Sequence, residues 1–185
     1  MRVFVGGLFA LFASNAVFAT MSLPFDQVAA DQQACVAGAV KVTGINTEEV
    51  DKNIFSIYQI ELVSGDWFFG GDLVGGPRTS FRIAGGKLGA RQTRIVGAPT
   101  FEIGSEFVAY LWNKGCVAGS AFTLYSWNGI QKIEKDARGD YVLHRAKPSR
   151  NVGRNSRNAF SNTEGPTDLR NFGESVRRNR NAEPR

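Results

Sequence analysis

Between residues 34 and 145 the chain repeats one pattern: a short run alternating apolar and polar side chains, then a turn of glycine, asparagine or proline. An extended backbone sends successive side chains to opposite faces, so alternation of this kind marks a strand with one buried face. Val36, Gly38, Val40 and Val42 share one side of the first run; Ala37, Lys41 and Thr43 share the other. A polar loop is expected over 46–53, followed by a strand over 54–62 in which Tyr58, Ile60 and Leu62 alternate with Gln59 and Glu61. Further strands are read over 79–84, 91–96, 106–112, 118–127, 130–135 and 141–145, with 106–112 central because it is apolar on both faces. Gly85-Gly86, Gly97-Ala98-Pro99, Asn113-Lys114-Gly115, Asn128-Gly129 and Ala137-Arg138-Gly139-Asp140 supply the turns, and Asn128-Gly129 is the firmest hairpin signal. Short strands with turns about every ten residues predict an all-β domain over 20–146, a small antiparallel barrel first and a sandwich second.

A short helix is expected ahead of the strands, with Ser22 as cap, Pro24 in the first turn, and Phe25, Val28 and Ala29 on its buried face. Residues 1–19 read as a signal peptide: Arg2, an apolar stretch over 3–13, and Val17-Phe18-Ala19 with small residues where a signal peptidase cuts. That apolar stretch is shorter than the roughly 20 residues of a spanning helix. Export to the periplasm or beyond the cell is the expectation, with no membrane span in the mature chain. In an oxidising compartment Cys35 and Cys116 are a candidate disulfide closing a loop of about 80 residues, with a chain-entropy ceiling of about 4 to 5 kcal/mol. Two buried thiols are the alternative.

The formal charge of +5 is not spread evenly. Residues 1–145 carry 13 Lys and Arg against 13 Asp and Glu, whereas residues 146–185 carry 9 against 4. The strand-rich part therefore has no basic footprint, which opposes nucleic acid as a partner. Ser, Asn, Arg, Gly and Pro dominate beyond residue 146, and the few large apolar residues predict a disordered basic tail over 147–185. Its Arg177-Arg178-Asn179-Arg180 cluster reads as solvated charge, with an acidic surface as the competing partner.

Motifs that carry chemistry are weak. Gly85-Gly86-Lys87-Leu88-Gly89-Ala90 lacks the spacing and the hydroxyl residue of a phosphate loop and precedes a strand, so it reads as a β-hairpin. His144 is the single histidine and reads as an ordinary strand residue; no GxSxG elbow occurs. Glu48, Glu49 and Asp51, and the pair Asp66 and Asp72, miss the spacing of a calcium loop and read as solvated charge. No catalytic, cofactor or metal residue is assigned. Asp66-Trp67-Phe68-Phe69-Gly70-Gly71-Asp72 gathers three rings, which either close the core or form a patch through which Trp67, Phe68 and Phe69 grip a protein partner.

Gly85-Gly86, Gly97, Pro99, Phe101 and Gly104-Ser105-Glu106, followed by a glycine-bearing hairpin, resemble a group of exported, single-domain bacterial proteins of uncharacterised function. The resemblance runs over about 22–145. It departs at the "WFFGG" segment, at the spacing before Glu106 and at both cysteines. It implies an OB-like or related small β-barrel and supplies no site residues. A noncatalytic binding or structural domain is the expected function, with an accessory or regulatory domain of an exported hydrolase or protease system as the alternative.

Overall fold

A computed structural model describes residues 25–63, 65–126, 130–143 and 167–182. The expected signal peptide over 1–19, His144 and the expected Asn128-Gly129 turn lie outside the described residues. The fold is mostly β, with one large mixed sheet and helices at both ends of the described chain.

Helix α1 spans Gln27–Gln33 and is capped by Asp26, whose side chain accepts from Ala29 N. This cap shifts the expected helical frame. Ala30 and Asp31 face inward, and Val28, expected on the buried side, is 49% exposed. Strand β1 then runs without interruption over Val36–Val50 and pairs with β2, Asn53–Leu62. The expected polar loop over 46–53 is thus a projecting hairpin with a two-residue turn, Asp51 and Lys52, both at positive φ. On its β1 side residues 45–50 include none that is buried, so no apolar alternation marks that strand there, while Ile54 on the β2 side turns into the core.

After a one-turn helix α2, Gly71–Val74, come β3, Arg78–Ala84, and the small hairpin of β4, Gly86–Leu88, and β5, Arg91–Thr93. The stretch with two glycines is a hairpin as expected, but the tip is Gly89-Ala90; Gly85 and Gly86 make the corner between β3 and β4. Strands β6, Glu106–Trp112, β7, Phe122–Leu124, β8, Gln131–Lys135, and β9, Tyr141–Leu143, follow. β7 is much shorter than expected because residues 113–121 are an irregular loop instead. The order is β1-β2-β3-β7-β6-β8-β9, ending at a two-residue strand β10, Thr167–Asp168, with an added β1–β6 ladder. β1 has a register shift against β2 between Val42 and Gly44; residues 36–41 pair with β6 and residues 40–50 with β2, so Val40 and Lys41 have a partner strand on each side. The sheet is not purely antiparallel as expected, since β3 and β7 run parallel at Phe81↔Phe122 and Arg82↔Thr123.

The C-terminal segment corrects the expected disordered tail. Strand β10, Thr167–Asp168, pairs with β9 and leads into helix α3, Leu169–Asn181. Leu169, Phe172, Gly173 and Val176 fall at helical spacing on one face and are buried. Four apolar-face positions in thirteen are easily overlooked among arginines and asparagines, and packing supplies the stability that composition does not.

Two apolar clusters result, because β1 and β6 are buried on both faces. One face looks into a cluster with Val36, Val40, Val42, Tyr58, Ile60, Phe81, Phe107, Leu111, Phe122 and Leu124. The other is covered by α1, α3, β8 and β9, with Ala30, Ala34, Ala37, Ala39, Val108, Tyr110, Ile133, Leu143, Phe172 and Val176. Cys35 and Cys116 are joined as a disulfide, Cα atoms 5.2 Å apart, tying the start of β1 to the loop after β6.

The aromatic segment joins the two clusters and is not the exposed patch considered above. Trp67 and Phe68 are buried. A Cβ on Gly38 would stand 2.6 Å from Trp67 Cε3, so glycine lets the indole lie against β1. Phe68 meets Phe172 edge-on at 5.8 Å in the other cluster, and the Arg180 guanidinium sits 4.8 Å from the centre of the Phe69 ring. Trp67 Nε1 also donates to Gly76 O at 2.8 Å. Core closure, the other reading of this segment, describes its placement.

Candidate functional site

On the outer face of β1, β2 and β3, side chains unused by either cluster stand in cross-strand rungs. Their placement follows from register: with Tyr58 and Ile60 directed inward, Ile57, Gln59 and Glu61 point outward. Across the ladder they meet Arg82, Ser80 and Arg78 in turn. The rungs differ chemically. Arg78 Nε donates to Glu61 Oε2 at 3.2 Å, an exposed pair, and the Arg82 guanidinium lies 5.1 Å from the centre of the Phe55 ring. The β1 bulge shapes the far wall: Thr43 Oγ1 donates to Gln59 O, and bare Gly44 leaves room for the Gln59 amide. Thr43, Gln59, Glu61, Arg78, Thr79 and Ser80 line an open groove of about 680 Å³. It offers an amide, a carboxylate, a guanidinium and hydroxyls within a few residues, a mixed donor and acceptor set suited to a neutral, hydrogen-bonding chain.

A second polar cluster is sealed between α1, β6 and α3. Asp31 is fully buried and accepts from Gln27 Nε2 at 2.8 Å, Tyr110 OH at 2.8 Å and Asn179 Nδ2 at 2.7 Å. Burial holds its carboxyl above the usual value, opposed by the hydrogen bonds from Asn179, Tyr110 and Gln27, and the nearby Asp26 charge adds to the rise. Burial also pushes the Tyr110 phenol up, reinforced by the charge and hydrogen bond of Asp31. Gln27 donates to the Tyr110 hydroxyl as well and accepts from Gln131 Nε2 at 3.0 Å. With no exposure at Asp31, this network holds elements together and presents nothing to a ligand. Sequence reasoning did not single it out; the only trace is Gln27 and Asp31 at i, i+4 with alanines beside them.

The charged residues considered in the sequence are dispersed. Glu49 accepts from Arg91 Nη1 at 2.8 Å, Asp51 is in the hairpin turn, and Asp66 and Asp72 flank the aromatic segment. Of the basic cluster, Arg177 Nε donates to Phe68 O at 3.0 Å. Arg180 Nη1 donates to Gln32 O, Ala34 O and Asp31 O around the C-terminus of α1. Part of that cluster therefore satisfies carbonyls that end a helix. No protein-family model, curated protein or solved structure matches this chain. Among the described residues no helix is long and apolar enough to cross a membrane.

Proposed function

We propose that the chain is an exported, noncatalytic binding domain that holds an extended, largely uncharged ligand across the outer face of β1, β2 and β3. The observation that carries this reading is the groove lined by Gln59, Glu61, Arg78 and Ser80. Its polar groups repeat along paired strands at the spacing of an extended chain. The equal numbers of acidic and basic residues over 1–145 favour a neutral ligand over a polyanion.

Topology supports a finer reading. The ladders β1–β2, β2–β3, β3–β7, β7–β6 and β6–β1 form a circuit, and we read it as a small OB-like barrel. OB barrels bind oligonucleotides and oligosaccharides on the face of their second and third strands, the strands that hold this groove. That step is an argument from fold analogy and supplies no ligand identity. The disulfide is the support for an exported location, since such bonds persist in oxidising compartments.

Amide NMR titration with neutral oligosaccharides and with extended uncharged peptides tests the reading. Shifts confined to residues near Gln59, Glu61 and Ser80 are expected, and Gln59→Ala should weaken binding about tenfold, the effect of one lost hydrogen bond of about 1 to 1.5 kcal/mol. Shifts that avoid β2 and β3, or no saturable shift with either class, would remove the proposal.

A further inference from the structure

The outer face of β2 does not end at the groove. Past Gln59 its next outward positions are Ile57 and Phe55, which face Asn46 and Glu48 on β1, and Ile57 also faces Arg82 on β3. Phe55 and Ile57 are half-buried and, among the described residues, neither joins an apolar cluster. The Arg82 guanidinium lies 5.1 Å from the centre of the Phe55 ring, and among the described residues its N–H groups meet no acceptor. One line of side chains therefore runs from a charged pair, Glu61 and Arg78, through the uncharged Gln59 and Ser80 to an aromatic end. Six residues of extended backbone at about 3.3 Å each set Phe55 about 20 Å from Glu61. The strand beneath is paired on both edges: over 56–61 β2 has β1 on one side and β3 on the other. A peptide strand that adds to a sheet does so by main-chain hydrogen bonds at a free edge, and the floor of this face has none to give. A ligand here meets side chains alone.

We propose, resting on the binding reading above, that this face takes a neutral oligosaccharide of about four rings lying along β2, with Phe55 and Arg82 as a second subsite beyond the groove. A sugar ring presents an apolar C–H face and a rim of hydroxyls, each of them both donor and acceptor. The Gln59 amide, the Glu61 carboxylate and the Arg78 guanidinium are planar groups with polar atoms side by side, the shape that joins two neighbouring hydroxyls at once. Glu61 and Arg78 answer each other's charge at 3.2 Å, which suits an uncharged chain. At the far end the Phe55 ring supplies a flat apolar surface for a C–H face, and the N–H groups of Arg82 stand beside it for the hydroxyl rim.

Amide NMR titration of the full chain with neutral hexose and N-acetylhexosamine oligomers of graded length tests this, beside an uncharged Gly-Ser-Thr peptide of similar extent. Saturable shifts at Phe55, Gln59 and Ser80 are expected with the oligosaccharides, and affinity should climb with length to about four rings and then level. Phe55→Leu keeps the packing and loses the flat face; it should weaken the longer oligomers about tenfold, the effect of one ring contact, and leave the shortest, seated at Gln59, unchanged. The length dependence is read on the unaltered chain, so the test stands whether or not the variant folds. Oligosaccharides that bind at Gln59 without length dependence, or with Phe55→Leu indistinguishable from the parent, overturn the proposal. A peptide that saturates the same residues while no oligosaccharide does overturns it too and leaves the binding reading standing. Silence from both classes overturns both.

Discussion

The two faces of the first half of β1, residues 36–42, are buried by different means. The inner face meets strands close in sequence or joined by a covalent bond, and its cluster is made of rings and branched aliphatic side chains: Tyr58 stacks on Phe81 at 5.2 Å and Phe101 on Phe107 at 4.4 Å. The outer face is lined by Ala37 and Ala39, and its cover comes from α1 and from α3, more than 120 positions further along. Small side chains there let the helices approach, and hydrogen bonds donated by Asn179 to Asp31, by Arg177 to Phe68 O and by Arg180 to Ala34 O set their positions. Apolar packing tolerates volume-conserving change, whereas a sealed polar network fails when one member is lost. One strand pair thus supports an inner layer that resists perturbation and an outer layer that depends on a few contacts.

Breaking the covalent tie should have the largest effect. Replacing Cys35 and Cys116 by serine removes a restraint on an 81-residue separation, for which the chain-entropy model gives a loss of up to about 4.5 kcal/mol. Urea unfolding should show it as a lower midpoint for the whole domain. A loss confined to α3 amides would place the disulfide in the wrong layer.

Phe172→Ala should come next, at about 3 kcal/mol for truncation of a buried ring. Its signature is local: hydrogen exchange of α3 and β10 amides should accelerate well before that of β1 and β2. Uniform acceleration throughout would mean that the two layers unfold as one.

The smallest effect concerns pH. The carboxyl of Asp31 is raised above its ordinary value of 3.8, so its protonated form is favoured in the folded state. Its contribution to stability is then complete below that ordinary value and is lost as pH rises through the elevated folded value. Asp31→Asn removes the titration and should flatten this part of the stability profile above pH 4. Matching pH slopes for the two proteins in paired urea melts would show that Asp31 is not the source.

Legibility followed the same division. The strands of the inner layer were readable because Val40 and Val42, Tyr58 and Ile60, and Phe81 and Ile83 alternate with polar neighbours. The outer half of the β1–β2 hairpin was not, since Thr47 and Glu49 have no buried side to contrast with and Asp51-Lys52 is an uncommon pair for positive φ. Helix α3 was hidden for another reason. Leu169, Phe172 and Val176 are too few to signal a core of their own, and they matter only because Phe68 and the alanines of β1 wait opposite. The groove was hidden too, because which of Gln59, Glu61, Arg78 and Ser80 share a face depends on register across strands.

What the residues determined unaided was local: a strand-rich middle with a buried face on most strands and both faces apolar over 106–112, turns at glycines, and two cysteines suited to a bridge. Those features arise from backbone sterics and from side-chain spacing within a few positions. Tertiary structure alone decided that Cys35 meets Cys116, that β3 lies parallel to β7, and that a helix rich in arginine covers the second face of β1. Each of those outcomes joins segments tens of residues apart, where the gain comes from complementary surfaces that no short window of sequence contains.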